Sequence, residues 1–259
     1  MIYEYPQDKR EDLLFLFNEH RYFDAIVFGL LVSDLGEVFV DDLKNPKNAM
    51  LMFGERPTVI SLGGSGEGKT AKELISKISN KTGFFCPNDT WKELLIKRFG
   101  DKLQFKPRTK LSSTSLDINH IRKLKENILK GYEIVKINEE IIEKFEENTK
   151  RKIIRFVGSL EYFKKNGFGF CVLRDGKVVG DVTNGGLLFE NTFELDIEIH
   201  PDHRRKGLAT VLCTHLIEYS LENGYDPRWD AANKPSVDLA LKLGYTNPEE
   251  HELMIYWED

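Results

Sequence analysis

The sequence Phe193-Glu-Leu-Asp-Ile-Glu-Ile-His-Pro-Asp-His-Arg-Arg-Lys-Gly-Leu-Ala209 carries the strongest structural signal in the chain. Residues 193–200 alternate between apolar and polar side chains, which predicts a β-strand with one buried and one polar face. Apolar side chains then recur at helical spacing, which predicts an amphipathic helix ending at Asn223-Gly224. A strand, a basic loop and a helix therefore follow one another directly.

The sequence on both sides continues this alternation of strands and helices. Two apolar segments around the turn at 174–177 predict a β-hairpin over residues 168–179. Upstream of it, residues 132–137 read as a strand and 139–148 as a charged helix. Downstream, we expect a strand near Trp229, a helix over 236–243 that Gly244 ends, and a strand over 253–257.

The first part of the chain also alternates between helix and strand patterns. Helices are predicted at 13–17, 71–78 and 91–99, and strands at 25–32, 58–62 and 102–106. After the polar segment 110–115, Ser115 is expected to cap a helix with apolar residues at Leu116, Ile118, Ile121, Leu124 and Ile128. We place a domain boundary at Gly131, which gives domains 1–130 and 131–259. The fold class is α/β, with an α+β type of mixed sheet.

Length and composition support two folded domains. The 259 residues fit one large or two small domains, and 41% hydrophobic with 31% charged residues is a globular balance rather than a disordered one. The net charge of -5 argues against a protein whose main partner is nucleic acid. No apolar run is long enough to span a bilayer, and the first residues lack a signal-peptide pattern. We expect a cytoplasmic protein with no membrane partner.

The cysteines and histidines do not form a metal-binding pattern. Cys86, Cys171 and Cys213 are far apart in the sequence, which argues against a disulfide framework or a zinc site, so we expect each to be buried. His200 and His203 form a pair without a nearby cysteine or third histidine. We therefore predict no bound metal.

Residues 63–70 match the phosphate-binding pattern G-x-x-x-x-G-K-[ST], with Lys69 and Thr70 at its end. The alternative function that this motif implies is a P-loop nucleotide-binding protein. However, a nucleotide hydrolase also needs a later apolar strand that ends in a metal-binding Asp, and none follows. We therefore favour a glycine-rich turn that caps a helix, with Lys69 and Lys72 in solvent.

The basic loop after the alternating strand is the better anion site. Three successive cations and the free N–H groups of a helix start would together hold a pyrophosphate. Without an anion these cations would oppose the helix dipole and cost stability. The residues assigned to this site are Arg204, Arg205, Lys206, Gly207, Leu208 and Ala209.

Two motifs in this half of the chain resemble those of the GNAT N-acetyltransferase superfamily. The R-x-x-G-x-A spacing of Arg204, Gly207 and Ala209 is similar to its acyl-CoA signature. The segment from Asn233 to Tyr245 resembles its N-x-x-A…K-x-G-F ending. The resemblance covers residues 131–259 and is closest to a bacterial subgroup with an N-terminal α/β portion. A degenerate copy of the same fold is one interpretation of residues 1–130, which carry no matching motif.

The resemblance implies a domain with a splayed central strand and acetyl-CoA as co-substrate. The pantetheine of acetyl-CoA would pair with the backbone of that strand, here Ile197, Glu198 and Ile199. Asn233 and Ser236 are further candidates for cofactor contacts, and Asn233 could equally be a plain helix cap. A Tyr that protonates the leaving thiolate is often found where this chain has Ala240, so that role does not transfer.

The chemistry of acetyl transfer to an amine requires a neutral nucleophile. An amine with an ordinary pKa of about 10.4 is neutral about once in 2,500 molecules at pH 7, a penalty of about 4.6 kcal/mol. The polar face of the strand offers carboxylates, so we assign Glu198 as general base and Glu194 and Asp196 as groups that attract the amine. A merely solvated acidic face is the alternative, and Asp230 is a second choice of base.

Ser236 could donate the proton to the thiolate, or the thiolate could leave unassisted. The predicted function is N-acetyl transfer to a small-molecule or peptide amine by an enzyme that could form homo-oligomers. A non-catalytic acyl-CoA sensor is the other alternative, because the Tyr is absent.

Overall fold

The computed structural model describes residues 1–54, 59–78, 82–125 and 130–256. The chain divides into two compact units, one of Met1–Pro107 with His251–Asp259 and one of Arg108–Glu250. Within the described ranges, no helix has the length and apolarity needed to cross a membrane. Thr58, Ile128 and Trp257, which belong to predicted elements, lie outside these ranges.

The first unit begins with short elements and continues into a sheet. Its elements in chain order are β1 (Tyr3–Glu4), a 3-10 helix (Gln7–Phe17), α1 (Asp24–Val32), β2 (Glu37–Val40), β3 (Asn48–Phe53), β4 (Val59–Gly64), α2 (Gly68–Ser76), β5 (Thr82–Phe85), α3 (Asp89–Phe99), a 3-10 turn (Gly100–Lys102) and the start of β6 (Leu103–Ser112).

The second unit starts within β6 and ends within the last strand. Its further elements are α4 (Ile118–Lys125), β7 (Glu133–Lys136), α5 (Glu139–Glu143), α6 (Glu147–Val157), α7 (Leu160–Asn166), β8 (Gly169–Arg174), β9 (Lys177–Thr183), β10 (Thr192–Glu194), β11 (Asp196–Ile199), a 3-10 turn (Pro201–His203), α8 (Leu208–Glu222), β12 (Asp226–Ala231), α9 (Lys234–Leu243) and β13 (Thr246–Tyr256). The end of β13 belongs to the first unit.

In the first unit, β1 to β4 form an antiparallel series. β5 then runs parallel to β4, with α2 as the connection, and the end of β13 pairs antiparallel with β5. A parallel neighbour requires such a helical crossover, whereas the preceding strands need only turns. The core beside α2 and α3 includes Met50, Leu62, Phe84, Trp91 and Tyr256.

In the second unit, the antiparallel order is β11-β9-β8-β7. A separate group pairs β10 parallel with β12, and β12 antiparallel with β6. α8 packs against β8, β9 and β11 on one side and against α4 and α9 elsewhere. Because α8 is covered by neighbours, even its hydroxyl groups are buried, and Thr214 and Ser220 satisfy theirs on carbonyls within the helix.

The structure confirms the hairpin, the 71–78 and 91–99 helices, and the strand-loop-helix order around residue 200. The strand predicted at 25–32 is wrong, because Asp24–Val32 is the helix α1. A short run that is apolar on every side has no period that separates helix from strand. The charged helix predicted at 139–148 is likewise two helices, α5 and α6, and the predicted strand 102–106 extends to residue 112.

The two compact units differ from the predicted domains at both ends. Residues 109–111 of β6 pair with β12, and α4 packs against α8, so the second unit begins before Gly131. At the other end, Met254 pairs with Phe84 of β5, which draws the last residues into the first unit. Strand pairing with distant partners outweighs the local turn signal at Gly131.

The glycine-rich segment after β4 is fixed by side chains of its own unit. The amide of Asn48 donates to Asp41 (2.9 Å) and to the Glu67 carbonyl (3.1 Å), and its oxygen accepts from Gly66 N–H (2.8 Å). Asn48 is buried, whereas the Lys69 side chain is 89% exposed. The conformation of this segment therefore depends on Asn48 rather than on Lys69.

We expect Asn48→Ala to lower the free energy of unfolding by about 2–4 kcal/mol, because it leaves buried hydrogen-bonding groups without partners. Lys69→Ala is the matched control and should change it by less than about 0.5 kcal/mol. Urea denaturation of both variants beside the wild type measures this. Equal effects of the two substitutions would contradict the assignment.

Candidate active site

The continuous strand predicted over residues 193–200 changes partners in its middle. Its first part, β10, pairs with β12 as far as the hydrogen bond from Leu195 N–H to the Arg228 carbonyl (3.1 Å). Its second part, β11, pairs with β9. β11 is therefore the edge of its sheet, and the splayed central strand that the resemblance implied is confirmed.

The open edge of β11 exposes backbone groups of known direction. Successive N–H groups of a strand point to opposite sides. Leu195 N–H points toward β12 and His200 N–H bonds to Val179 of β9 (2.9 Å), so the N–H groups of Ile197 and Ile199 point to the open edge. The Ile199 carbonyl on this edge accepts a hydrogen bond from Arg204 Nε (2.9 Å). This edge can bond an extended amide ligand.

The basic loop lies between this edge and α8. Arg205 has a φ of 59° and Gly207 a φ of 81°, both left-handed, and Gly207 is the N-cap of α8 without a side-chain capping bond. The first intrahelical bond runs from Val211 N–H to the Gly207 carbonyl (3.2 Å). The N–H groups at the start of α8 are therefore available to a ligand.

The shape and charge of this loop fit a pyrophosphate. Arg204, Arg205 and Lys206 are exposed, and Lys206 Nζ donates only to a backbone carbonyl, that of Asp202 (3.0 Å), among the residues that the structure describes. Their charges are thus not balanced by carboxylates there. Helix N–H groups and free cations together favour a dianionic group at this position.

The opposite face of the sheet carries the carboxylates. Ile197 and Ile199 belong to the core beside α8, so the alternating side chains of Asp196 and Glu198 point away from α8. Lys152 of α6 bonds both, at 2.5 Å to Asp196 and 3.1 Å to Glu198. The Glu198 side chain is 51% exposed, as a base that meets a substrate in a cleft needs to be.

Asp181 of β9 joins this cluster and was missed from the sequence. It lies directly opposite Glu198 and is buried. Burial raises the pKa of Asp181 to about 7, Lys152 opposes the rise, and Asp196 and Glu198 add to it. The signal available in the sequence was a single carboxylate inside the otherwise apolar strand 178–182.

Lys152 is held in its charged form by the same cluster. Burial alone would lower the pKa of Lys152, but Asp196, Asp181 and Glu198 outweigh burial and raise it to about 12. One ammonium group therefore faces three carboxyl groups. The cluster keeps a negative balance when all three are ionised.

Glu194 has a different partner from Asp196 and Glu198. It lies in β10, before the strands splay, and its buried carboxylate is paired with Lys110. The apolar residues of the strand pack on one core from 193 to 199, so Glu194 stays on the polar face, and its role in attracting the amine stays a prediction. Asp230 is also engaged, since Arg108 donates to its carboxylate (2.5 Å) and to its carbonyl (2.8 Å).

The later motif builds the start of α9. Asn233 is the N-cap and accepts from Ser236 N–H (3.1 Å). Ser236 Oγ accepts from the indole N–H of the buried Trp229 (3.0 Å), which leaves its own hydroxyl hydrogen for another acceptor. Ala240 is buried in the core, so no side chain at that position reaches a ligand.

The competing glycine-rich loop offers few free donors. Gly66 N–H bonds to Asn48, Glu67 N–H to Ser65 Oγ (3.2 Å), and the Thr70 hydroxyl to Asp41 (3.3 Å). Its strand-turn-helix context matches a P-loop, but these internal bonds use three of the groups that would hold phosphate and its magnesium ion. Among the described histidines, His203 is bonded to Tyr132 (3.0 Å). Two of the cysteines, Cys171 and Cys213, are buried, and Cys86 is partly exposed.

Comparison with known proteins agrees with the fold. The family model described as GNAT acetyltransferase matches residues 15–254. The uncharacterized N-acetyltransferase YdfB of Bacillus subtilis (strain 168) is 26% identical over 98% of each chain. A GCN5-related N-acetyltransferase-like protein from Streptococcus suis 89/1591 has a similar structure, with a TM-score of 0.79, 23% identity, and coverage of 97% of this chain and 99% of that one.

A tandem GNAT protein from the clavulanic acid biosynthesis pathway is also similar, with a TM-score of 0.61, 13% identity, and coverage of 98% of this chain and 97% of that one. The family match extends well beyond residues 131–259, where the motifs lie. The chain therefore belongs to the GNAT acetyltransferase family and is an acetyltransferase.

Proposed function

We propose that this enzyme uses acetyl-CoA and transfers the acetyl group directly to a primary amine of a small molecule or peptide. The observation that carries the proposal is the open edge of β11 next to a basic, left-handed turn at the start of α8. Membership of the family supports acetyl transfer in general. The edge and the turn supply the two kinds of contact that acetyl-CoA needs, amide pairing and pyrophosphate binding.

Backbone groups would bind and orient the co-substrate. Ile197 and Ile199 present N–H groups along the open edge, and Glu198 continues the same backbone. Arg204, Arg205 and Lys206 would neutralise the pyrophosphate, while Gly207, Leu208 and Ala209 bring helix N–H groups to it. Gly207 permits this approach because its left-handed backbone carries no Cβ.

Glu198 would take the proton of the acceptor amine, directly or through water. Its exposed carboxylate meets solvent on the face that carries Asp196, and Asp196 would attract the ammonium form of the amine. An α-amine with an ordinary pKa near 8 needs only about 1 kcal/mol to become neutral at pH 7, against about 4.6 kcal/mol for a lysine-like amine. The contribution required of Glu198 therefore depends on the acceptor.

Ser236 is the candidate to protonate the departing thiolate. Because Trp229 N–H already bonds to Ser236 Oγ, the hydroxyl hydrogen is directed to another acceptor. Asn233 supports this arrangement by capping α9 and fixing the Ser236 backbone. A thiol with an ordinary pKa of about 8.5 is also a tolerable leaving group without assistance.

We further propose that the first unit is a second copy of the GNAT fold that does not bind the co-substrate. The series β2, β3, β4, α2, β5, α3, β6 repeats the order β8, β9, β11, α8, β12, α9, β13 of the second unit and chain end. In the first unit the glycine-rich loop stands where the second has the basic loop, and Asn48 occupies its Gly66 N–H. The similarity to a tandem GNAT protein supports this interpretation. It implies a calorimetric stoichiometry of one acetyl-CoA per chain.

Arg205→Glu is expected to weaken acetyl-CoA binding at least tenfold, about 1.4 kcal/mol, because it replaces a pyrophosphate-facing cation with an anion. Arg205 is a better position for this test than Gly207, because any side chain at residue 207 would be strained by the left-handed φ of 81°. Isothermal titration calorimetry of the folded variant and the wild type measures the change.

The matched control is Lys69→Glu, which makes the same charge change in the loop of the first unit. It should leave acetyl-CoA affinity within about twofold of the wild type, since the Lys69 side chain is 89% exposed. A parallel titration with ATP and Mg²⁺ tests the P-loop alternative. Two results together would reverse the assignment of the basic loop as the coenzyme site. One is tight ATP binding that Lys69→Glu abolishes, and the other is an acetyl-CoA affinity that Arg205→Glu leaves unchanged.

Glu198→Gln should lower kcat at least tenfold for amines with a high pKa and less for those with a low pKa, because the base matters most when the amine is protonated. Thiol release from acetyl-CoA with spermidine, tyramine, glucosamine and a peptide α-amine measures this. Glu133→Gln, an exposed carboxylate of β7 in the same sheet, is the control and should retain activity. Equal loss in both variants would contradict the role of Glu198.

A further inference from the structure

Asp181 is a buried carboxyl group on the same face of the sheet as Asp196 and Glu198. In the antiparallel pair of β9 and β11 it stands directly opposite Glu198, a position at which facing side chains of one sheet surface are neighbours. Asp181 is 6% exposed, whereas the Glu198 side chain is 51% exposed. The two carboxyl groups thus lie next to each other, one in solvent and one in the interior.

Charged and titratable groups face Asp181 from each neighbouring element. Lys152 approaches from α6, Asp196 and Glu198 from β11, and Cys171 lies opposite on β8. A strand interior is an unfavourable place for a carboxylate unless it is paired or protonated. The amine-binding and coenzyme-binding roles already assigned leave Asp181 without a function.

We propose that Asp181 accepts, through Glu198, the proton that the acceptor amine gives up during acetyl transfer. The inference rests on the proposed function and adds a residue that acts through Glu198 without touching substrate. The ammonium form of the acceptor first gives one proton to Glu198, which passes it to Asp181, and the neutral amine then forms the N–C bond as the C–S bond breaks. A second amine proton ends on the coenzyme thiolate, and Asp181 later returns its proton to solvent.

The environment of Asp181 suits this role. Burial raises its pKa to about 7, so near neutral pH it both accepts and releases a proton, which an ordinary carboxylate does not. Transfer to Asp181 would restore Glu198 as a carboxylate. Lys152 keeps its charge throughout, because its pKa is raised to about 12.

Asp181→Asn preserves the size of the side chain and removes its ability to bind a proton. We expect the plateau kcat, measured as thiol release with the amines named above, to fall at least tenfold, and KM for acetyl-CoA to stay unchanged. The acid limb of kcat/KM, with a midpoint near pH 7 in the wild type, should disappear. In Lys152→Met the midpoint should move to higher pH, because the ammonium group that lowers the pKa of Asp181 is removed.

Thr183→Val is the matched control on the same strand face. Thr183 is buried and accepts a hydrogen bond from Gly185 N–H (3.1 Å), so the substitution perturbs packing without removing a titratable group. The variant should keep the acid limb. An Asp181→Asn enzyme that retains the wild-type plateau and limb would overturn this inference alone, whereas a wild type inactive with every amine would overturn it together with the proposed function.

A readout without turnover checks the same group. In the native protein Asp181 binds its proton up to about pH 7, while in the unfolded chain its carboxyl loses the proton near its ordinary pKa of 3.8. Native stability from this group is therefore complete below about pH 4 and is lost as pH rises to about 7. The unfolding temperature of Asp181→Asn should therefore rise relative to that of the wild type as the pH increases across this range. No pH dependence of that difference would overturn the inference.

Discussion

The hydrogen bond between Leu195 N–H and the Arg228 carbonyl is the last link between the central strand and β12. Up to that bond the strand has a neighbour on its β12 side, and after it β11 pairs with β9 and has a free edge. On its other side β12 pairs with β6, so β12 remains part of a sheet where β11 diverges from it. The proposed pantetheine contacts and the proposed base lie along this opening, and the proposed pyrophosphate contacts lie on the loop that follows it.

The opening also divides the charges of the site. The basic loop at the start of α8 belongs to the side of the sheet where α8 packs, while Asp196 and Glu198 point to the other side. Alternation along one strand thus separates the proposed anion site from the proposed acceptor face by a single layer of backbone. Because the basic loop and the carboxylates lie on opposite faces of the sheet, they do not neutralise each other directly. In the proposed reaction the loop would bind the coenzyme and the carboxylates would bind the acceptor amine. Lys152 moderates the acidic face without cancelling it.

Much of this site could be predicted from local sequence. The alternation of residues 193–200, the cations of the loop and Gly207 predict the proposed coenzyme side, because each signal lies within one turn or strand. The partner of Glu194 could not be predicted, since its ion pair with Lys110 joins residues 84 positions apart. The contact between Lys152 and Glu198 joins residues 46 positions apart, beyond the reach of any local pattern. The helix α1 could not be distinguished from a strand, because its side chains are apolar on all sides and show no period.

Amide hydrogen exchange of the protein with and without acetyl-CoA tests the central claim most directly. The account predicts that acetyl-CoA slows exchange in peptides covering residues 196–200 and 206–211, where edge and helix N–H groups gain partners. Peptides covering residues 63–70 should be unaffected, since that loop is not the proposed coenzyme site and the N–H groups of Gly66 and Glu67 are already bonded within the protein. Protection confined to residues 63–70, or none at the edge of β11, would contradict the account.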